Sequence, residues 1–226
     1  MKIPTFKFPF YGIIIILSLI IGIIYIYRSL KKEDIHDKRT FYFFFMMMAF
    51  ALIFGKLYTI LTEDVESFLK AGLSSYGGLV GVVIAAIYFE KLIPFDNKLV
   101  KYSILSLPLV YGLSKIACTV VGCCGGIPYN GPLNVTYTGM QNIKQFPIQA
   151  LEVIVFIIIF IICNKFKNKK NITYVTLFLC ALFKFLLDFL RYDHVTKLIT
   201  VNQIFSIILI VIIGIVYFYN KKKEVK

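Results

Sequence analysis

The sequence predicts an all-α integral membrane protein of about seven transmembrane helices, with its N-terminus outside and its C-terminus in the cytoplasm. Composition is the first reason: 59% of the 226 residues are hydrophobic and only 16% are charged, where soluble domains carry roughly 25% charge. Hydropathy is the second: seven apolar stretches approach or exceed the roughly 17–25 residues that a spanning helix needs. Charge is the third. Sixteen of the 25 Lys and Arg fall in alternate connections and in the C-terminal tail, and the positive-inside bias assigns those segments to the cytoplasm. At this length the expectation is a single transmembrane domain over 1–226, surrounded by a lipid bilayer.

The first span, near 9–29, opens on Phe10-Tyr11-Gly12 and ends in Tyr25-Ile-Tyr-Arg-Ser-Leu-Lys. It lacks a small-x-small cleavage pattern, so a retained helix is expected. The others lie near 41–62, 74–93, 100–122, 146–164, 172–191 and 198–219. Runs such as Ile13–Ile16 and Ile157–Ile162 are apolar on every face, which excludes the alternation of a membrane β-barrel. The basic connections are the first (Arg28, Lys31, Lys32, Lys38, Arg39), the third (Lys91, Lys98, Lys101) and the fifth (Lys165, Lys167, Lys169, Lys170). Facing an anionic leaflet, they account for most of the net charge of +13, and no nucleic-acid partner is expected. One connection is long, an external loop at about 122–146 rich in Gly, Pro and Asn. Long loops of this kind often carry function.

Three cations lie at membrane depth: Lys56, Lys115 and Lys184. Such residues face a bundle interior and mark functional cavities. In Lys184-Phe-Leu-Leu-Asp188-Phe-Leu-Arg191 the spacing predicts a cation, an anion and a second cation on one helical face. The choice is between an intramembrane ion pair that orients helix six and an anion pocket near the outer surface, with Lys115 as a second cation and Lys56 as a third. Gly77-Gly78-Leu-Val-Gly81 suits either close helix packing or bare backbone approached by a headgroup. Tyr76 beside it suits either a donor to phosphate or an interfacial tyrosine. Cys118, Cys123 and Cys124 gather beside the external loop, either as small residues at packed turns or as a thiol site. Cys163 and Cys180 read as apolar packing residues. The two histidines, His36 and His194, fall in predicted connections, and neither a metal nor a cofactor is expected.

These stretches, taken in order, resemble those of bacterial prolipoprotein diacylglyceryl transferases. Phe10-Tyr11-Gly12 resembles the family's Tyr-Gly start of helix one, Phe54-Gly55-Lys56-Leu57 its first Gly-Arg segment, and Ser75-Tyr76-Gly77-Gly78-Leu79-Val80-Gly81 its His-Gly-Gly-Leu-Ile-Gly. Ser114-Lys115-Ile116-Ala117-Cys118-Thr119-Val120-Val121-Gly122-Cys123-Cys124-Gly125-Gly126 falls on its signature Gly-Arg-Ile-Gly-Asn-Phe-Ile-Asn-Gly-Glu-x-x-Gly. Phe146-Pro147-Ile148-Gln149-Ala150-Leu151-Glu152 resembles its His-Pro-Ser-Gln-Leu-Tyr-Glu, and Lys184 to Arg191 its Arg-x-x-x-Glu-Phe-x-Arg. Thr200-Val-Asn-Gln203-Ile-Phe-Ser206 resembles its Leu-Thr-Met-Gly-Gln-x-x-Ser.

The resemblance implies a seven-helix enzyme of the bacterial cytoplasmic membrane. Such an enzyme moves diacylglycerol from phosphatidylglycerol onto the lipobox cysteine of an exported prolipoprotein precursor. It implies catalytic roles for Tyr76, Lys184 and Asp188, and substrate binding by Lys115, Gly77, Gly78, Arg191, Lys56, Cys118 and Cys123. The chain also departs from the family. Lysines stand at 56, 115 and 184 for arginines, Tyr76 for a histidine, Cys118 for the signature asparagine and Cys123 for the signature glutamate. Lysine offers a compact point charge where arginine offers a planar fork. The alternatives are a paralogue with another acceptor or thiol chemistry, and a non-enzymatic lipid-binding membrane protein.

Overall fold

The computed structural model describes residues 2–3, 10–35, 40–62, 74–93, 97–137 and 143–224. His36, Lys38, Arg39 and residues 138–142 of the external loop lie outside the described residues. Among those described, the chain forms seven α-helices: α1 (Phe10–Lys31), α2 (Thr40–Thr62), α3 (Ser75–Leu92), α4 (Lys98–Val121), α5 (Ile148–Lys165), α6 (Ile172–Asp188) and α7 (Val201–Glu224). Five of them, α1, α2, α4, α5 and α7, are long and apolar enough to cross a membrane. Their outer faces carry exposed Ile20 and Ile24 on α1, Ile154 and Ile161 on α5, and Val211 and Ile215 on α7. Apolar faces of this extent need cover, and lipid supplies it. Each helix begins and ends within a few residues of its expected span.

Two departures from the sequence expectation concern local structure. A short parallel pair joins β1 (Lys2–Ile3) to β2 (Thr136–Tyr137), a local addition to an otherwise all-α fold. The second is that α6 stops at Asp188, so Arg191 is not on the helical face expected for it. The cause is the external loop. Ile127 N–H donates to the Leu190 carbonyl at 3.0 Å, and Tyr192 N–H donates to the Gly125 carbonyl at 3.0 Å. That bridge, with Gly126 opposite Arg191, draws the chain out of the helix, and a 3-10 turn follows at Tyr192–Val195.

The chain divides into two compact units, Leu19–Leu107 and Met1–Ser18 with Pro108–Lys226. In the first, α2 and α3 pack backbone to backbone. Gly77 and Gly81, one turn apart, face Phe54 and Phe50 of α2. A Cβ at Gly77 would lie 2.7 Å from both the Phe54 carbonyl carbon and Tyr58 Cβ, and one at Gly81 would lie 2.7 Å from the Phe50 carbonyl carbon. Both distances are shorter than van der Waals contact allows. Small residues at this spacing are how membrane helices approach closely. Ser74 caps α3 by accepting from Tyr76 N–H at 3.3 Å, and its own N–H donates to the Gly55 carbonyl at 3.1 Å. Phe43 packs on Phe89, ring centroids 5.3 Å apart. In the turn after α1, Glu33 accepts from Tyr102 OH at 2.6 Å and pairs with Lys98 at 3.1 Å.

In the second unit α6 and α7 are tied along their length. Near one end Asn220 donates to Tyr174 OH at 2.7 Å. At the other, Thr200 and Gln203 cap α7 reciprocally: Thr200 N–H donates to Gln203 Oε1 at 3.1 Å, and Gln203 N–H donates to Thr200 Oγ1 at 3.2 Å. This is a capping box with Thr at the N-cap and Gln at the third helical position. On the α4–α5 side, Gly112 makes room for Phe156 and Ile157.

Candidate functional site

A carboxylate organises the charged centre of the second unit. Glu152 lies in the second turn of α5 and is 1% exposed. Its Oε2 pairs with Lys115 Nζ of α4 at 3.1 Å, and its Oε1 with Arg191 Nη2 at 2.8 Å. The same Oε1 accepts from Tyr111 OH at 2.9 Å. Tyr111 and Lys115 share a face of α4 because they are four residues apart. The Tyr111 hydroxyl in turn accepts from Lys184 Nζ of α6 at 3.1 Å. Its ring also faces both ammonium groups, 4.3 Å from Lys184 and 5.0 Å from Lys115 at the centroid, within the range of cation–π attraction. Phe156 holds that ring, centroids 4.3 Å apart.

Asp188 fixes the outer edge of this network. Its Oδ1 is 3.5 Å from Arg191 Nε, and its Oδ2 is 3.6 Å from His194 Nε2. Oδ2 also accepts a short hydrogen bond from Thr200 Oγ1. The N-cap of α7 therefore grips the last residue of α6, and the carboxylate lies where a helix N-terminus favours negative charge. Arg191 keeps its place beside Asp188 although it is off the helix, because the loop bridge carries its backbone.

Four of the residues singled out in the sequence, Lys115, Lys184, Asp188 and Arg191, thus belong to one connected network. Cys118 and Cys123 lie beside it. Gly122, with φ at 76°, ends α4 in the left-handed region, the usual helix-stopping role of glycine. Its N–H and that of Cys123 both donate to the Cys118 carbonyl, at 2.9 and 3.1 Å. The turn brings the thiols of Cys118, Cys123 and Cys124 within 4.8 Å of one another. Gln149 donates to the Cys123 carbonyl at 2.8 Å and pins the turn to α5. Burial raises the Tyr137 phenol nearby to about 12, so it remains protonated.

Lys56, Tyr76, Gly77 and Gly78 belong to the other unit. Lys56 is half-buried on α2. Tyr76 is buried and stacks on Tyr58 at 6.0 Å. Gly77 faces α2, and Gly78 N–H donates to the Ser74 carbonyl at 3.0 Å. The geometry there is that of a helix seam.

Sequence reasoning left out Glu152, Tyr111, Thr200 and His194 as site residues. Glu152 had a usable signal, a lone carboxylate inside an apolar span. Tyr111 had only its four-residue spacing to Lys115. Thr200 carried the Thr-x-x-Gln capping pattern, and His194 carried none.

The family model described as prolipoprotein diacylglyceryl transferase matches residues 1–219. The chain belongs to this family. Curated relatives named phosphatidylglycerol–prolipoprotein diacylglyceryl transferase include one from Clostridium tetani, 25% identical over 92% of this chain and 91% of the relative. Another, from Clostridioides difficile, is 21% identical over 95% of this chain and 92% of the relative. A third, from Finegoldia magna, is 24% identical over 95% and 92%. The chain is therefore a multi-pass membrane protein of a transferase family that acts in lipoprotein biosynthesis. Of the stretches that resemble the family, those containing Lys115, Glu152 and Arg191 meet at one carboxylate, and the stretch beginning at Thr200 closes on Asp188.

Proposed function

We propose that this protein transfers the diacylglyceryl group of phosphatidylglycerol to the lipobox cysteine of a prolipoprotein. In this reading it is a single seven-span domain of the bacterial cytoplasmic membrane, with its N-terminus and the 122–146 loop outside. The observation that carries the reading is the convergence of Lys115, Lys184 and Arg191 on one buried network around Glu152 and Tyr111. With all groups ionised, Lys115, Lys184 and Arg191 face Glu152 and Asp188, which leaves one net positive charge. A phosphodiester headgroup carries one negative charge and would neutralise it. The cations also have donors beyond those that the two carboxylates engage, since a guanidinium has five N–H and an ammonium three.

The chemistry follows from that placement. The acceptor thiol must lose its proton to become the reactive thiolate. The sulfur then attacks the glycerol carbon of the diacylglyceryl group. A carbon–sulfur bond forms, the carbon–oxygen bond to phosphate breaks, and glycerol phosphate leaves with the electron pair. Negative charge grows on the phosphate oxygens as that bond breaks. Preorganised cations aimed there stabilise the transition state more than the ground state. Lys115, Lys184 and Arg191 take this role. Glu152, Tyr111 and Asp188 hold them in position so that little reorganisation remains when the charge develops.

The test is complementation of a strain depleted of its own diacylglyceryl transferase, with mass analysis of a reporter lipoprotein. A thioether-linked diacylglyceryl group on the reporter is the expected result. An unmodified reporter in cells with full expression in the membrane overturns the assignment.

A further inference from the structure

The thiols at the exit of α4 are the one cluster of potential metal-binding groups found among the described residues, and the transfer chemistry proposed above does not need their sulfur atoms. All three are free cysteines; Cys118 is buried, Cys123 half-buried and Cys124 exposed. Their sulfur atoms lie within 4.8 Å of one another. Around a tetrahedral zinc ion with Zn–S bonds of about 2.3 Å, thiolates sit about 3.8 Å apart. Side-chain rotation covers that difference. The backbone is already fixed by the left-handed Gly122, by the two amides that donate to the Cys118 carbonyl, and by the bond from Gln149 to the Cys123 carbonyl.

The donor set suits a soft divalent ion: three thiolates around it leave one net negative charge. Thiolate is the form that binds metal. A disulfide within the adjacent pair Cys123 and Cys124 is disfavoured by geometry, since neighbouring Cα atoms lie closer than a bridge requires. Soft sulfur ligands select zinc-class ions over hard ones such as magnesium.

We propose that Cys118, Cys123 and Cys124 form a three-thiolate site for one zinc-class divalent ion, with its fourth position open to solvent beside Cys124. The sequence does not announce the site, having neither a Cys-x-x-Cys pair nor a histidine close by. What creates it is the helix-ending turn at Gly122, which folds two loop cysteines back over one in the helix.

Cobalt(II) is the probe. The full chain, reduced and stripped of metal in detergent micelles, is titrated with it under anaerobic conditions. Saturation at one cobalt per chain is expected, with a thiolate-to-cobalt charge-transfer band that zinc(II) erases. Cys118→Ser, Cys123→Ser and Cys124→Ser each remove the one-equivalent endpoint, while a Cys163→Ser/Cys180→Ser double variant keeps it. Cys124→Ser decides the matter if the buried variants fail to fold, because the exposed Cys124 supports no core. The absence of a charge-transfer band, a band that survives Cys124→Ser, or a disulfide among the three in protein prepared without reductant overturns the site. None of these readouts depends on lipid transfer, so the metal site and the transferase reading stand or fall separately.

Discussion

The two compact units solve the membrane problem in opposite ways. In residues 19–107 the α2–α3 seam is held by the absence of side chains, with Gly77 and Gly81 letting one backbone lie on another. In the other unit α4, α5 and α6 are joined by groups that hydrocarbon disfavours, namely Lys115, Glu152, Lys184 and Asp188, all less than a tenth exposed. Lipid tails are as apolar as leucine, so hydrophobicity alone does not press helices together. Close backbone contact and polar pairing remain as means. The first tolerates any polar-free surroundings but no added atom. The second tolerates changes of shape but no lost partner.

The sharpest way to break this contrast is to remove the shared anion. Glu152→Ala leaves the Lys115 and Arg191 charges buried without their carboxylate, a change that costs about 3–5 kcal/mol. The expected outcome is loss of most folded protein from detergent extracts, read by size-exclusion profile and thermal unfolding. Glu152→Gln keeps the shape and should lose nearly as much, because charge rather than volume is missing. If Glu152→Gln melts with the parent protein, the carboxylate is not what joins these helices.

Next come the cations. Lys115→Ala and Lys184→Ala should each lower lipid transfer by about tenfold or more, since a charge-assisted contact contributes about 1.5–3 kcal/mol. Lys115→Arg and Lys184→Arg should be tolerated, since both retain the charge. Transfer assayed on reporter lipoprotein in membranes, normalised to protein amount, separates the outcomes. Normal transfer by both alanine variants removes these lysines from the phosphate.

The seam makes the complementary prediction. Gly77→Ala forces a methyl group against the Phe54 carbonyl and Tyr58 Cβ and should destabilise by about 1–3 kcal/mol, the usual cost of overpacking. Gly78→Ala, whose Cβ would meet only the Ala51 carbonyl oxygen at an ordinary 3.6 Å, should unfold with the parent. Equal melting of the two variants would show that the seam does not depend on close approach.

Legibility in the sequence follows the same division. Helix existence was readable because it is local, as the isoleucine run of α1 shows; exact ends were less so, since α6 stops at Asp188 rather than 191 and α7 starts at Val201 rather than 198. The glycine seam was half readable, since the spacing of Gly77 and Gly81 marks a close contact but not its partner. The charged network was readable as ingredients only. Lys184 and Asp188 lie on one helix as their spacing requires, whereas Arg191 leaves it because residues 125 and 127 of a distant loop bond the backbone at 190 and 192. No local pattern encodes that bridge. Nor does one reveal that Glu152, the sole carboxylate in its span, collects partners from α4 and from beyond α6.

The smallest expected effect tests whether the 19–107 unit also uses charge, away from its seam. Glu33 is held below its ordinary range by the hydrogen bond from Tyr102 and then by Lys98. A carboxylate depressed in the folded state contributes stability above its unfolded value, and that contribution disappears as pH falls through the folded one. The group is half-buried, so solvent screening limits the pair to about 0.2–1 kcal/mol. Between neutral pH and about pH 3, below the usual glutamate range, the parent should therefore lose slightly more thermal stability than Glu33→Gln, which keeps an acceptor for Tyr102 but has nothing to titrate. If the two melting curves shift in parallel over that window, the Glu33 contact with Tyr102 and Lys98 adds no charge-dependent stability.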